Sequence, residues 1–255
     1  MAYTTLQVQQ QRGTCFIQLN RPQAKNSINS ILIEELLAVF AKTEQEDAIK
    51  VLVLTGNDQH FCTGMDFNAV STRGSEAALA QDKNGYYNLL KHIATCSKVV
   101  VAKVDGQVNA GGIGLVTASD IVISSEKATY GLSEALFGLL PACVMPFLIR
   151  RVGVQKAQWM SLMTGGISAQ RAYEIGLVDE ISTKPDDILR RNLLRLTRLE
   201  TSTIQDLKDY VSKLWIINEA TQTLAVDKIT SLVQSEKVQY NIKNFVENGQ
   251  FPWTK

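Results

Sequence analysis

The chain has 255 residues, 45% of them hydrophobic and 20% charged, with a formal net charge of +1 at pH 7. That length can bury one sizeable core, or one core with a small helical appendage. The near-neutral balance excludes an electrostatic nucleic-acid binder, which needs a clustered basic surplus, and no stretch approaches the roughly 18 apolar residues of a membrane span. The N-terminal MAYTTLQVQQQRGTC has no apolar h-region, so a cytoplasmic protein is expected. Cys15, Cys62, Cys96 and Cys143 form no CxxC pair and are expected as small buried hydrophobes. With two histidines, His60 and His92, no histidine-rich metal site is expected.

In chain order, Thr14 to Asn20 (TCFIQLN) alternates and is rich in β-formers, predicting a strand. RPQAKNSIN follows as a turn, and SILIEELLAVFAKTEQ carries apolar residues at helical spacing. IKVLVLTG is a near-continuous apolar run, as in a strand buried on both faces. Phe67 to about Gln81 is small and polar and predicts a mobile loop. YYNLLKHIATC predicts a helix, KVVVAKVDG a strand, GGIGLVTAS a short helix, DIVISS a strand and ATYGLSE an extended piece. From about Ala157 the pattern becomes helical, and Arg190, Arg191, Arg195 and Arg198 suit one solvated helix face. Strands alternating with helices imply parallel pairing through crossovers, hence an α/β fold.

Two glycine sites raise a chemical question. HFCTGMDF, His60 to Phe67, ends a buried run with a glycine and an acid, and Gly111 and Gly112 open a helix after another. Helix starts offer unpaired N–H groups and a positive dipole end, and glycine lets a ligand approach the backbone. Two such N–H groups converging from different loops would form an oxyanion hole. Either site alone is also what a tight turn looks like. NAGGIG does not follow the GxGxxG pattern, so a dinucleotide site is not supported.

Taken in order, IQLNRPQAKNSIN, VLVLTGNDQHFCTGMDF, VAKVDGQVNAGGIGLVTASDIVISSEKATYGLSEALFGLLP and LMTGGISAQRAYEIGLVDEI resemble the crotonase (enoyl-CoA hydratase/isomerase) superfamily over nearly the whole chain. The resemblance implies a spiral of ββα turns over residues 1–190, with a helical oligomerisation region over 191–255 giving a homotrimer or hexamer. It also implies an acyl thioester on the phosphopantetheine of acyl carrier protein (ACP) or CoA, with no further cofactor and no metal. The backbone N–H groups of Met65 and Gly111 match the family's oxyanion hole. Gly64, Gly112, Cys143 and Phe147 are then candidate substrate-binding residues, and Lys25 lies in the adenine-side loop as a cofactor-binding candidate.

Of the two glutamates usual in hydratases of this family, the first falls on Gly114 and is absent, while the second matches Glu134 in GLSEALFGLLP. Glu134 is therefore the expected acid/base, and Asp66 either a second one or a cap on the following turn. The pairing of FCTGMDF with GLSEALFGLLPACVMPFLIRR is most similar to polyketide β-branching dehydratases, which act on 3-hydroxy-3-methylglutaryl-ACP. The rivals are an enoyl-CoA isomerase or hydratase of a small acyl-CoA, and a non-catalytic binding protein of the same fold. Arg150, Arg151 and Lys156 are expected as contacts for an acidic ACP, and Phe251 and Trp253 as packing either over a neighbouring subunit or locally.

Overall fold

The computed structural model describes residues 3–66, 76–214 and 217–253, with the side chains of 76–83 excepted. The polypeptide winds as a repeated unit of two strands and a helix. After β1 (Leu6–Gln11), β2 (Thr14–Leu19) and α1 (Ser30–Glu44), the first full turn is β3 (Val51–Thr55), β4 (His60–Cys62) and α2 (Glu76–Thr95). The second turn is β5 (Val99–Val104), β6 (Gln107–Asn109) and α3 (Gly111–Ala118). The third is β7 (Ile121–Ser125) and β8 (Thr129–Gly131), followed by a 3-10 turn at Glu134–Phe137 and α4 (Met145–Met163).

Each turn contributes one strand to each of two sheets. The larger sheet has the order β1-β2-β3-β5-β7-β10, with β10 at Glu180–Ser182, and the smaller has β4-β6-β8-β9, with β9 at Ile167–Ser168. All neighbours pair in parallel except β1 with β2 and β8 with β9. This is the expected α/β spiral.

The alternation of side chains along a strand divides the core into two. Leu52 and Leu54 of β3 face the main core with Ile17, Val100 and Ala102. Val51 and Val53 face outward onto Leu189 and Ile204, which lie on α6 (Pro185–Leu196) and α7 (Thr201–Lys213). The run IKVLVLTG is thus buried on both faces, as its composition requires. All four cysteines are buried. The arginines of α6 lie on its solvated side, where Arg190 and Arg191 pair with Asp187 and Glu180.

Several elements depart from the sequence expectation. β1 is an edge strand whose LQVQQQ buries little beyond Leu6, so it lacks the apolar signal of a strand. It is fixed by a hairpin at Arg12 and Gly13, both with positive φ. α2 already begins at Glu76, so the loop expected to about Gln81 is helix over its last part, and residues 67–75 lie outside the described residues. His60 opens β4. The stretch after Ala157 is not helical throughout, because β9 and β10 interrupt it and β10 extends the main sheet. The expected division between residues 190 and 191 falls inside α6. After α5 (Ala169–Glu174), α6 and α7, the chain ends in α8 (Glu219–Val233) and α9 (Glu236–Asn248).

Lys208 of α7 anchors the helical layer. Its ammonium bonds the carbonyls of Ile93 and Lys98 and the Asp120 carboxylate, at 3.2, 3.0 and 2.7 Å. Removing one partner leaves a largely desolvated charge behind. Lys208→Met is expected to lower stability by about 3 kcal/mol, read as a shift in the urea midpoint with an unchanged slope.

Candidate active site

The ends of β4 and β6 meet above the small sheet. Ile28 bridges Met65 in parallel: its N–H donates to the Gly64 carbonyl at 2.7 Å, and its carbonyl accepts from the Asp66 N–H at 2.8 Å. In this pattern the Met65 N–H points away from Ile28. Gly64 has φ +96, and a Cβ built there would lie 2.8 Å from the Ala110 Cβ. Neither the backbone conformation nor the contact admits a side chain.

Across from it, Ala110 adopts φ +48 and ψ −121, a conformation that favours glycine. It is held on both sides: its N–H donates to the Gly131 carbonyl at 3.0 Å, and its carbonyl accepts from Ile113 at 2.9 Å. The turn delivers Gly111 as the first residue of α3, where the N–H has no acceptor within the helix. Gly112 lies so close to the Cys62 carbonyl that a Cβ would overlap it. Met65 and Gly111 thus line one cavity of about 880 Å³.

Glu134 lines the same cavity from the start of the 3-10 turn. Its carboxyl Oε2 is buried and has no hydrogen-bond partner among the described residues. Burial pushes the carboxyl up from 4.5 to about 7, against a smaller opposing effect of the Glu134 and Ser133 backbone N–H groups. Asp66 also lines the cavity, but its carboxylate pairs with the Arg21 guanidinium at 2.9 Å, both side chains being largely buried. Arg21 is fixed in turn by the Ser27 carbonyl. The turn that Asp66 was expected to cap lies outside the described residues.

Gly114, where the family's first glutamate would stand, faces Tyr86 of α2. A Cβ at Gly114 would overlap the Tyr86 hydroxyl and lie 2.9 Å from a Leu90 methyl carbon. An acid there would have to displace Tyr86 and Leu90. Tyr86 donates its hydroxyl hydrogen to the Gly111 carbonyl and is itself a lining residue.

Of the other expected site residues, Cys143 lines the cavity and exposed Lys25 sits on its wall. Gly64, Gly112 and Phe147 are not among the lining residues. Phe147 is fully buried behind the wall against Tyr87, with ring centroids 5.6 Å apart. Arg151 does not present a free cation for docking. Its side chain is 9% exposed and bonds Asp179, Leu177 and Ser119, and Arg150 is turned toward Asp120. Lys156 is exposed.

Sequence reasoning missed Tyr86, Ser133 and Asn109, whose side-chain amide donates to the Ser133 hydroxyl at 2.9 Å. It also missed the apolar wall that Ile229 and Val233 of α8 and Ile242 and Phe245 of α9 supply. Phe251 extends that wall, packing on Phe245 at 5.0 Å and stacking on Trp253 at 4.7 Å. These tail aromatics therefore pack locally. Among the described residues no cluster of His, Cys, Asp or Glu could hold a metal, and no helix is long and apolar enough to cross a membrane.

Comparison with known proteins gives a consistent picture. The family model "Enoyl-CoA hydratase/isomerase" matches residues 9–255. The chain is 41% identical to the bacillaene synthase dehydratase PksH of Bacillus subtilis (strain 168), over 99% of this chain and 98% of that protein. A crystal structure of a polyketide biosynthesis enoyl-CoA hydratase (pksH) from Bacillus subtilis superposes with a TM-score of 0.93, covering 98% of this chain and 100% of that one. The 1,2-epoxyphenylacetyl-CoA isomerase of Escherichia coli (strain K12) is 31% identical over 67% of each chain.

The burial of Glu134 has a consequence for stability. Because its folded pKa lies above the unfolded value, the associated stabilisation is complete at low pH and is lost as pH rises through about 7. Above that pH the ionised carboxylate costs roughly 3–4 kcal/mol. Glu134→Gln removes this cost, so thermal unfolding should show the variant more stable than wild type at pH 8.5 and equal to it near pH 4. Gly114→Ala should destabilise at every pH, because the methyl displaces Tyr86 or Leu90.

Proposed function

The chain belongs to the enoyl-CoA hydratase/isomerase family, and we propose that it removes water from a 3-hydroxy-3-methylglutaryl group on acyl carrier protein, giving 3-methylglutaconyl-ACP in polyketide β-branching. The observation that carries this reading is the single desolvated Glu134 carboxyl in a cavity also lined by Met65 and Gly111, with Tyr86 and Leu90 occupying the space that a side chain at Gly114 would need. The similarity to the bacillaene synthase dehydratase PksH supports the choice of reaction.

The thioester carbonyl oxygen is held by the N–H groups of Met65 and Gly111. They stabilise the charge that develops on it when C2 loses a proton. Glu134, as a carboxylate made more basic by desolvation, takes that proton. The C2–H electron pair becomes the C2–C3 double bond, the C3–O bond breaks, and Glu134 returns the proton to the departing hydroxyl, which leaves as water. One carboxyl thus serves both steps on one face of the substrate.

Asp66 has a different part: its carboxylate is clamped by Arg21, and its N–H bond to Ile28 fixes the strand that presents Met65. Lys25, exposed on the cavity wall, would meet the carrier's phosphate. The exposed apolar side chains Leu207, Tyr210 and Leu214, 61–64% accessible, fit coverage by further copies in a trimer or hexamer. A monomeric mass by sedimentation would contradict that assembly.

Intact-mass analysis of ACP loaded with the 3-hydroxy-3-methylglutaryl group tests the reaction. Wild type is expected to remove one water, Glu134→Gln to lose at least about a hundredfold in rate, and Asp66→Asn to lose roughly tenfold. The rate should rise with pH through about 7 and then level off, following ionisation of Glu134. An unchanged mass with wild type would sink the dehydratase reading. Double-bond migration on an enoyl-CoA panel would then be the activity to assay, since a lone carboxyl also suits a proton shuttle.

A further inference from the structure

Tyr86 is buried, 4% exposed, yet its hydroxyl is used on the functional side of α2. It reaches the carbonyl of Gly111 in the first turn of α3, and a Cβ at Gly111 would lie 3.4 Å from it. We propose that Tyr86 is a positioning residue, which holds the Gly111 amide in its inward orientation through the Gly111 carbonyl. The inference rests on the thioester site described above and extends it to a residue outside the pair of amides.

The need for such a restraint follows from the local backbone. Ala110 holds a conformation unfavourable for a residue with a Cβ. Rotating the peptide between Ala110 and Gly111 relieves that strain, and the same rotation swings the Gly111 N–H away from the cavity. Gly111 has no side chain whose packing could oppose the movement. One hydrogen bond opposes it directly, since Ile113 N–H holds the carbonyl of that same peptide at 2.9 Å, and Tyr86 pins the following peptide through the Gly111 carbonyl, fixing the frame from which the Gly111 N–H is aimed. Gly114 is the counterpart of this arrangement, because any side chain there would displace the hydroxyl. Tyr86 also faces Glu134, Cys62 and Cys143, so in this desolvated setting its phenol stays neutral and remains a donor.

The test uses Tyr86→Phe, which keeps the ring and removes only the hydroxyl. Isotope-edited infrared spectroscopy would follow the carbonyl of a [1-13C]butyryl-pantetheine thioester, which has no β-hydroxyl to lose. Wild type is expected to shift the bound carbonyl to lower frequency, and Tyr86→Phe to forfeit at least half of that shift. In turnover the variant should lose roughly tenfold in kcat with little change in KM, the size of one lost hydrogen bond. Thermal melting serves as the folding control. A full carbonyl shift in a folded Tyr86→Phe would overturn the inference and leave the thioester site standing. Absence of any shift in wild type, with the probe bound, would contradict the oxyanion hole itself and the inference with it.

Discussion

Everything at this site depends on how closely two stretches of backbone approach each other. The end of β4 and the start of α3 lie nearer than side chains permit, so Gly64 sits 2.8 Å, measured from where its Cβ would stand, from the Ala110 methyl. Gly112 is pressed against the Cys62 carbonyl in the same way. Small residues are required there by space. Their consequence is chemical: two backbone segments from distant parts of the chain, at Met65 and Gly111, line one cavity. The ββα spiral makes this possible by pairing β4, β6 and β8 in parallel, so that successive strand ends open on one side.

Glu134 supplies the opposite kind of constraint. A carboxyl with a sealed, unpartnered oxygen is a cost to the fold above neutral pH and an asset to proton transfer. Asp66, equally near the cavity, has been given a guanidinium partner and loses that versatility. The two acids are distinguished by environment alone. The apolar wall from α8, α9 and Phe251 helps to exclude water from this side of the cavity, so the helical end of the chain takes part in the site as well as in the core.

The sequence was most legible where local physics dictates residue type. Apolar runs located β3 and β5, and the glycines at 64 and 111 flagged backbone approach before any contact was known. It was least legible where meaning comes from a distant partner. Nothing near Asp66 reveals Arg21, 45 positions earlier, and nothing in the apolar helix around Tyr86 reveals Gly111, 25 positions later. The absence of an acid at Gly114 could be read, but its steric reason could not. β1 escaped notice because an edge strand of glutamines needs only hydrogen bonds and one buried leucine. The amphipathic C-terminal helices were readable as helices, while the cavity they close is a product of tertiary packing.

The central claim is that a desolvated Glu134 is the group that changes charge near neutral pH. Carbon-13 NMR of protein labelled at the glutamate carboxyl carbons tests it directly, with Glu134→Gln to assign the signal. The account predicts one carboxyl titrating at about 7, absent from the variant. If every glutamate titrates in the ordinary range near 4.3, Glu134 is solvated and paired in solution, and the single-carboxyl mechanism is wrong.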